Sequence, residues 1–216
     1  GAPLKAKYTK GFEYSDCWVD DARLVVLNAL DAAEKGAKVL TRTACTSARR
    51  EGGLWRVEMT DTRSGTRRSV MARALVNAGG PWVNDIIGRV TGTNSSRNVR
   101  LVKGSHIIVP KFWDGAQAYL IQNHDKRVIF INPYEGDKAL IGTTDKDHQA
   151  APGDVRCTDE ERDYLLTFAS QYFAKPVTKD DVVWTYSGVR PLVSDGSDKP
   201  EAATRGYRLD LSGEAE

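Results

Sequence analysis

The sequence predicts a mixed α/β fold of the α+β kind, in which a partial α/β region is followed by a mostly antiparallel sheet with helices on one face. An amphipathic segment near the N-terminus has helical spacing, and strand-like runs of alternating polarity follow it. From residue 99 onward, short turn-forming segments separate four such runs, which is typical of an antiparallel meander. We therefore expect two packed and intermixed regions, 1–92 and 93–216.

The composition limits the class of protein. The 216 residues are 40% hydrophobic and 28% charged, which is typical of a globular chain. The formal net charge is only +2, so electrostatics give no reason to expect a nucleic-acid partner. Cys17, Cys45 and Cys157 are widely spaced and match no zinc pattern, and with only three histidines we expect no metal site. Such isolated thiols are typical of a reducing, cytoplasmic compartment.

Helix and strand signals alternate in the first region. Asp20 and Asp21 lie where the N-cap of a helix over 22–35 belongs, and Gly36 lies just past its last turn. The other elements predicted here are strands at 12–14, 38–43, 54–59 and 67–73, a short buried strand at 74–78, and a helix over 82–90 that begins after Pro81.

The second region is richer in strands. Thr158 and Glu161 have the spacing of a capping box, which predicts the start of a helix that Pro176 ends. The polar loop at 91–96 is a plausible boundary between the regions. The predicted strands are 99–109, 118–122, 128–132, 139–143, 182–190 and 206–211.

A strand that ends at Arg190 is the first candidate site. Gly188 lets a ligand or another backbone approach closely, and Pro191 restricts Arg190 to extended conformations. A guanidinium held in this way suits the capture of a carboxylate or a phosphate. The alternative is a surface arginine that is paired with an acidic residue.

A glycine-rich turn is the second candidate. Gly79, Gly80, Pro81 and Trp82 join the predicted strand to the predicted helix. The free N–H groups of a helix N-terminus without nearby side chains can contact a phosphate or the edge of a flat cofactor. The alternative is a plain tight turn.

His106 is the third candidate, because it interrupts an otherwise apolar strand. An imidazole there could accept a proton near neutral pH, or it could be a histidine that is hydrogen-bonded within the sheet. Thr143, Thr144 and Asp145 could form a polar cluster at a strand end, or Asp145 could cap a turn. The remaining histidines, at positions 124 and 148, lie in polar loops and are expected to be solvated.

Five segments of the chain, in the same order, resemble the bacterial form of the FAD-dependent, aerobic glycerol-3-phosphate dehydrogenases. This family belongs with the D-amino-acid-oxidase-like flavoproteins, and the resemblance extends over essentially the whole chain. The segments are 14–23, 75–83, 103–106, 141–145 and 186–192.

The resemblance implies oxidation of sn-glycerol 3-phosphate to dihydroxyacetone phosphate, with hydride passing to FAD and electrons to a membrane quinone. It implies that Arg190 binds substrate, that His106 removes the hydroxyl proton, and that Gly79, Gly80, Pro81 and Trp82 lie beside FAD. It also implies a cytoplasmic protein held peripherally at the inner face of the bacterial membrane. Unpaired strand edges would in addition favour a homodimer.

The sequence departs from the family at both ends. The glycine-rich dinucleotide fingerprint and the C-terminal Gly-Gly-Lys segment of the family are missing. We therefore expect an internal fragment, with 1–92 as part of the FAD-binding domain and 93–216 as most of the substrate domain. Alone it should bind FAD weakly or not at all, without turnover. The alternatives are a related amine or amino-acid oxidase, in which Arg190 would hold a carboxylate, and a structural module without a site.

Overall fold

The computed structural model describes residues 3–92, 99–123 and 127–193. Contacts between backbone segments divide the chain into two compact units. The smaller unit is formed by Lys10–Asn77 and Asp85–Asn94, and the larger by Gly1–Thr9, Ala78–Asn84 and Ser95–Glu216. The cofactor and substrate regions predicted at 1–92 and 93–216 stay a prediction, because these units report packing and not ligand binding.

The smaller unit contains helix α1, Asp21–Glu34, and a three-stranded antiparallel sheet. Asp20 caps α1 by accepting a hydrogen bond from the backbone N–H of Arg23 at 3.0 Å, and Gly36 has a positive φ of 92°, so both predicted helix signals are confirmed. The strands are β1, Thr43–Glu51, β2, Leu54–Asp61, and β3, Arg67–Ala72, in the order β1-β2-β3.

The core of the smaller unit is modest. Ala48, Val57 and Val90 are buried together, with Leu75 and Ile86 packed against them.

The predicted helix over 82–90 is a series of shorter helical turns, namely a 3₁₀ turn at Gly80–Trp82, helix α2 at Val83–Asp85 and a π-helical turn at Ile86–Thr91.

Three strand predictions in this part of the chain are wrong. Residues 12–14 and 74–78 belong to no sheet, and the first strand begins at Thr43 instead of residue 38. Arg42 has a positive φ of 53°, so the chain turns just where the predicted strand was to continue. The apolar run 74–78 is predicted to be a buried parallel strand, but Val76 is 85% exposed. A buried strand needs pairing partners, and the described residues supply none.

The larger unit contains a six-stranded antiparallel sheet, in which β4 is central. One edge of β4 pairs with β9 over ten residues, and the other edge is shared by β7 and β8. The strand order is β5-β6-β7-β4-β8, with β9 joined to β4. The strands are β4, Val99–Pro110, β5, Tyr119–Gln122, β6, Val128–Tyr134, β7, Lys138–Gly142, β8, Lys146–Asp147, and β9, Trp184–Val193. The predicted antiparallel strands are present, but only β5, β6 and β7 form a meander; β4, predicted as its first strand, pairs with β7 and β9 and not with β5. The strand predicted at 206–211 lies outside the described residues.

Helix α3, Asp159–Tyr172, covers one face of this sheet. Thr158 and Glu161 form the predicted capping box at its start. Phe168 and Leu165 of α3 are buried against Ile107 and Ile141 of the sheet. Burial of a side chain of this size contributes about 1.5–3 kcal/mol. The other face of the sheet is left for the candidate site.

Among the helices of the described residues, none is both long enough and apolar enough to span a membrane.

Candidate functional site

The alternation of side chains along β4 separates two sets of polar residues. Lys103, Ser105 and Ile107 point toward α3, where Lys103 pairs with Glu161 and Ile107 enters the core. Gly104 and His106 lie on the opposite face by the same alternation. This opposite face of the sheet, referred to below as the open face, carries the candidate site.

The register between β4 and β9 brings His106 and Arg190 to the open face together. His106 is opposite Tyr186, Gly104 is opposite Gly188, and Val102 is opposite Arg190. His106 and Arg190 are therefore displaced by four residues along adjacent strands, which is about 13 Å between their backbones. Their side chains can approach each other more closely.

Arg190 is fixed from the segment that follows β7. Its Nη1 donates to Asp145 Oδ1 at 2.6 Å, and its Nη2 donates to Thr143 Oγ1 at 3.2 Å. The Arg190 side chain is 34% exposed and that of Asp145 only 9%. Arg190 is thus paired with an acidic residue, as the alternative interpretation of this arginine predicted. The pair is, however, half-buried on the sheet and not fully exposed at the surface. The predicted polar cluster at 143–145 is the structure that holds it.

The Arg190 guanidinium is turned along the strand toward His106. Its Nη2 lies 2.9 Å from the position that a Cβ on Gly104 would occupy. Gly104 is two residues from His106, so about 7 Å of strand separates the guanidinium from the backbone of His106. A cation and an imidazole therefore flank a short stretch of the open face.

His106 lies in a row of residues that crosses four strands. Its ring stacks on Tyr186 with ring centroids 4.8 Å apart and planes within 6°, and a Cβ on Gly142 would overlap the imidazole. Phe130 pairs with Gly142 on the far side of the row. The imidazole therefore lies between Gly142, which has no side chain, and the ring of Tyr186.

Glu161 is a buried charged group that the sequence analysis identified only as a helix cap. Its carboxylate accepts hydrogen bonds from Lys103 Nζ at 2.7 Å, Thr144 Oγ1 at 2.9 Å and the backbone N–H of Thr158 at 3.0 Å. Burial alone would raise the pKa of Glu161, but these donors outweigh it and lower the pKa to about 2. The polar residue at Lys103 within an apolar strand was the signal for such a partner.

Glu161 is linked to the segment that holds Arg190. Thr144 Oγ1 donates to Glu161 and accepts from the backbone N–H of Ser105 at 3.0 Å. Thr143 and Asp145, the two neighbours of Thr144, are the partners of Arg190. A network on the α3 face thus fixes the middle residue of the segment that holds the guanidinium on the open face.

The glycine-rich turn lies in the same unit and contacts β9. Gly80 has a positive φ of 53°, and the backbone N–H of Trp82 donates to the carbonyl of Gly79 at 3.0 Å. Pro81 lies in the first turn, as predicted, and Trp82 is 49% exposed. The structure therefore brings this turn to the strand that carries Arg190.

The open face and this turn suit a flat cofactor. Within the part of the chain that the structure describes, a Cβ at Gly80 would meet nothing within 4 Å, so the backbone there is accessible to a ligand. The rings of Trp184, Tyr186 and Phe130 are 67%, 42% and 42% exposed. An accessible backbone beside exposed aromatic rings fits the ring system of a flavin. The glycine-rich fingerprint that would bind its diphosphate is not in the sequence.

His148, the other histidine that the structure describes, does not converge on this site. His148 Nε2 lies 3.1 Å from the carbonyl oxygen of Ala151 in a local loop. The histidine at position 124 lies outside the described residues.

Comparison with known proteins identifies the class of protein. The family model "FAD dependent oxidoreductase" matches residues 1–206, and the chain belongs to this family. The fold of a flavoprotein oxidoreductase, with FAD as the cofactor of the complete protein, follows from this membership.

Individual relatives show which members of this family the chain is similar to. The chain is 61% identical over 211 residues to D-erythritol 1-phosphate dehydrogenase of Brucella abortus (strain 2308), covering 98% of this chain and 42% of the relative. It is 50% identical to aerobic glycerol-3-phosphate dehydrogenase of Escherichia coli (strain K12), with the same two coverages. The solved structure of the glycerol-3-phosphate dehydrogenase from Bacillus halodurans, complexed with FAD, matches with a TM-score of 0.70 and 32% identity, over 81% of this chain and 36% of that one. The resemblance stated from the sequence is confirmed.

Proposed function

We propose that this chain forms most of the substrate side of an FAD-dependent dehydrogenase that oxidises a secondary hydroxyl of a polyol phosphate. The chain covers 42% of its curated relatives, and we infer that it acts within a longer flavoprotein. The observation that carries the proposal is the placement of Arg190 and His106 on one sheet face with about 7 Å of strand between guanidinium and histidine backbone.

Arg190 would bind the phosphate. A guanidinium has five N–H donors, and two of them are directed at Asp145 and Thr143. Asp145 orients the guanidinium without enclosing it, since a third of the side chain is exposed. The donors that remain can contact phosphate oxygens in the geometry that arginine favours.

His106 would accept the proton of the hydroxyl that is oxidised. Gly142 and Tyr186 hold the plane of its ring, so a nitrogen is presented at a fixed place on the open face. Bound FAD would supply the acceptor for the hydride from the same carbon. We propose that Gly79, Gly80, Pro81 and Trp82 contact FAD through the accessible backbone of their turn, and that the exposed rings exclude water from its ring system.

Two substrates fit this class. Glycerol 3-phosphate follows from the resemblance and from the relative in Escherichia coli, and D-erythritol 1-phosphate is favoured by the 61% identity to the Brucella abortus relative. Both are phosphate esters of polyols and place the same demands on Arg190. An amino acid as substrate would require Arg190 to hold a carboxylate. The glycine oxidase from Geobacillus kaustophilus, at 24% identity, shares the fold alone.

The remaining parts of the proposal rest on the resemblance. Quinone would accept the electrons, and the complete protein would lie peripherally at the inner face of the cytoplasmic membrane. A homodimer would follow if the unpaired strand edges associate.

The test is substrate kinetics of the complete protein with both phosphates and a panel of amino acids. Arg190→Ala should raise KM for the phosphate substrates at least about tenfold, since a charged hydrogen bond contributes about 1.5–3 kcal/mol. His106→Asn should lower kcat by a factor of about 10² to 10⁴, the usual contribution of a general base. Arg162→Ala is the matched control, because Arg162 pairs with Asp159 and Asp163 on α3.

An unchanged KM in Arg190→Ala would exclude the proposed phosphate contact. Turnover of an amino acid in preference to both phosphates would show that the site belongs to an amino-acid oxidase. Wild-type kinetics in both the Arg190 and His106 variants would support a structural module.

A further inference from the structure

Gly104 and Gly188 form a strip without side chains on the open face. They are directly opposite each other on β4 and β9. The row on one side contains His106 and Tyr186, and the row on the other contains Arg190. Cross-strand pairs normally fill such a place with two side chains, so a pair of glycines in the middle of two long paired strands requires an explanation.

Backbone conformation does not explain this glycine strip. Neither Gly104 nor Gly188 is among the residues with positive φ, so both have strand geometry that any amino acid adopts. Glycine in a strand weakens the sheet relative to alanine because it loses more conformational freedom on folding. The benefit of glycine here must therefore come from what the missing side chains leave open.

The two glycines differ in their surroundings. At Gly104, a Cβ would overlap Thr143 Oγ1 and lie 2.9 Å from Arg190 Nη2, so the guanidinium and its partner require a glycine there. At Gly188, a Cβ would meet nothing within 4 Å among the described residues. Packing explains Gly104. At Gly188 no described atom occupies the space above the glycine, and this space lies between His106, the proposed base, and Arg190, the proposed phosphate-binding residue.

We infer that Gly188 is a specificity-determining residue, and that its half of the glycine strip is the floor on which the carbon chain of the substrate lies, since Arg190 and Thr143 cover Gly104. This inference rests on the proposed function. The Arg190 guanidinium lies at Gly104, and His106 is two residues further along β4, so a span of about 7 Å of strand lies between the guanidinium and the His106 backbone. That span suits a phosphate ester whose reactive hydroxyl is on the neighbouring carbon. Additional carbons would extend past His106, so the strip selects the spacing of phosphate and hydroxyl and not the total chain length.

Gly188→Ala tests the inference cleanly, because the structure accommodates the new methyl group. The strand conformation at Gly188 suits alanine, and no described atom obstructs it. The melting temperature should stay unchanged or rise. The methyl group would nevertheless protrude into the proposed floor. Gly153→Ala is the matched control, since a Cβ there also meets nothing within 4 Å and Gly153 has no positive φ.

The experiment measures kcat, KM and melting temperature of the complete FAD-loaded protein with glycerol 3-phosphate and D-erythritol 1-phosphate. Gly188→Ala should raise KM for both by about tenfold or more, because one methylene in a fitted pocket changes discrimination by about 10–200-fold. Gly188→Val should have a larger effect. Competitive inhibition by inorganic phosphate, which needs only the Arg190 end, should change less than twofold in Gly188→Ala. Gly153→Ala should match the wild type throughout.

The outcomes separate this inference from the proposed function. If Arg190→Ala raises KM and Gly188→Ala does not, the strip is no substrate floor and the proposed function stands. If neither variant changes KM, both fail. A lowered melting temperature in Gly188→Ala with KM unchanged would make the glycine structural and would also overturn the inference.

Discussion

Glu161→Gln is the substitution whose effect can be worked out most fully from the structure. The Glu161 carboxylate is 1% exposed and is held by Lys103, Thr144 and the backbone of Thr158. Its pKa is lowered from 4.5 to about 2. At about 1.4 kcal/mol per pH unit, that difference corresponds to roughly 3 kcal/mol in favour of the folded state with Glu161 ionised. Glutamine keeps the shape but leaves the charge of Lys103 buried without its counter-charge.

The pH dependence of this effect has a definite sign. The pKa of Glu161 is lower in the folded than in the unfolded chain, so its stabilisation is fully present above about pH 4.5. It is lost as the pH falls from there toward about 2, because folding then requires release of a proton. The cost of Glu161→Gln should therefore be roughly 3 kcal/mol at pH 7 and clearly smaller at pH 3.

The assay is urea denaturation of the chain at pH 7 and pH 3, followed by far-ultraviolet circular dichroism. Glu160→Gln is the matched control, because the neighbouring Glu160 side chain is 86% exposed and its contact to Lys146 is 3.4 Å long. The double variant with Lys103→Met should recover part of the loss, since it removes the uncompensated cation. Equal costs for Glu160→Gln and Glu161→Gln, or a Glu161→Gln cost that does not change with pH, would refute the reasoning.

Two further predictions concern the open face and the cofactor. Gly142→Ala should displace the His106 ring, because the new Cβ would overlap it; we expect a cost of about 1–3 kcal/mol in urea denaturation and a fall in kcat of the complete protein, neither of which Gly153→Ala should show. The chain alone should bind FAD weakly or not at all, because it lacks the fingerprint for the diphosphate; titration followed by flavin absorbance tests this, and a stoichiometric yellow complex would contradict it.

The sequence predicted those elements whose signals are local. Helix α1 has a carboxylate at its N-cap and a glycine after its last turn, and α3 has a capping box, so both could be located from a few residues. The strands β4 to β7 contain runs of β-favouring, apolar residues between turn residues, and β9 alternates with a period of two. Such signals identify a strand whatever its pairing partner is.

The failures in the first region have a different cause. The 74–78 run is apolar, and such a run forms a buried strand only when neighbours exist on both sides. Strand β1 is largely polar, so its alternation is weak, and the prediction placed it too early, at 38–43. Whether 74–78 forms a strand and where β1 begins both depend on the strands available for pairing, and this pairing cannot be predicted from a short segment alone.

The candidate residues of the site were predictable, but their partners were not. Arg190 and His106 are unusual within their own strands. Tyr186 and Gly142 acquire their roles only through the register of β4 with β9 and β7, and Asp145 only because the segment after β7 reaches Arg190. A shift of one residue in the register of β9 would turn Tyr186 and Arg190 to the other face. The geometry that makes the two residues one site is therefore a property of the assembled sheet.

Strand β4 contributes residues both to the buried network and to the open face. Lys103 and Ser105 bind the buried network on the α3 face, while Gly104 and His106, alternating with them, form the open face. The network fixes Thr144, and the neighbours of Thr144 hold Arg190. Contacts on the α3 face of the sheet therefore help to fix the position of Arg190, the residue proposed to bind the phosphate. The buried Glu161 carboxylate thus helps to orient Arg190, and a long, flexible arginine binds an anion strongly only when its orientation is already fixed.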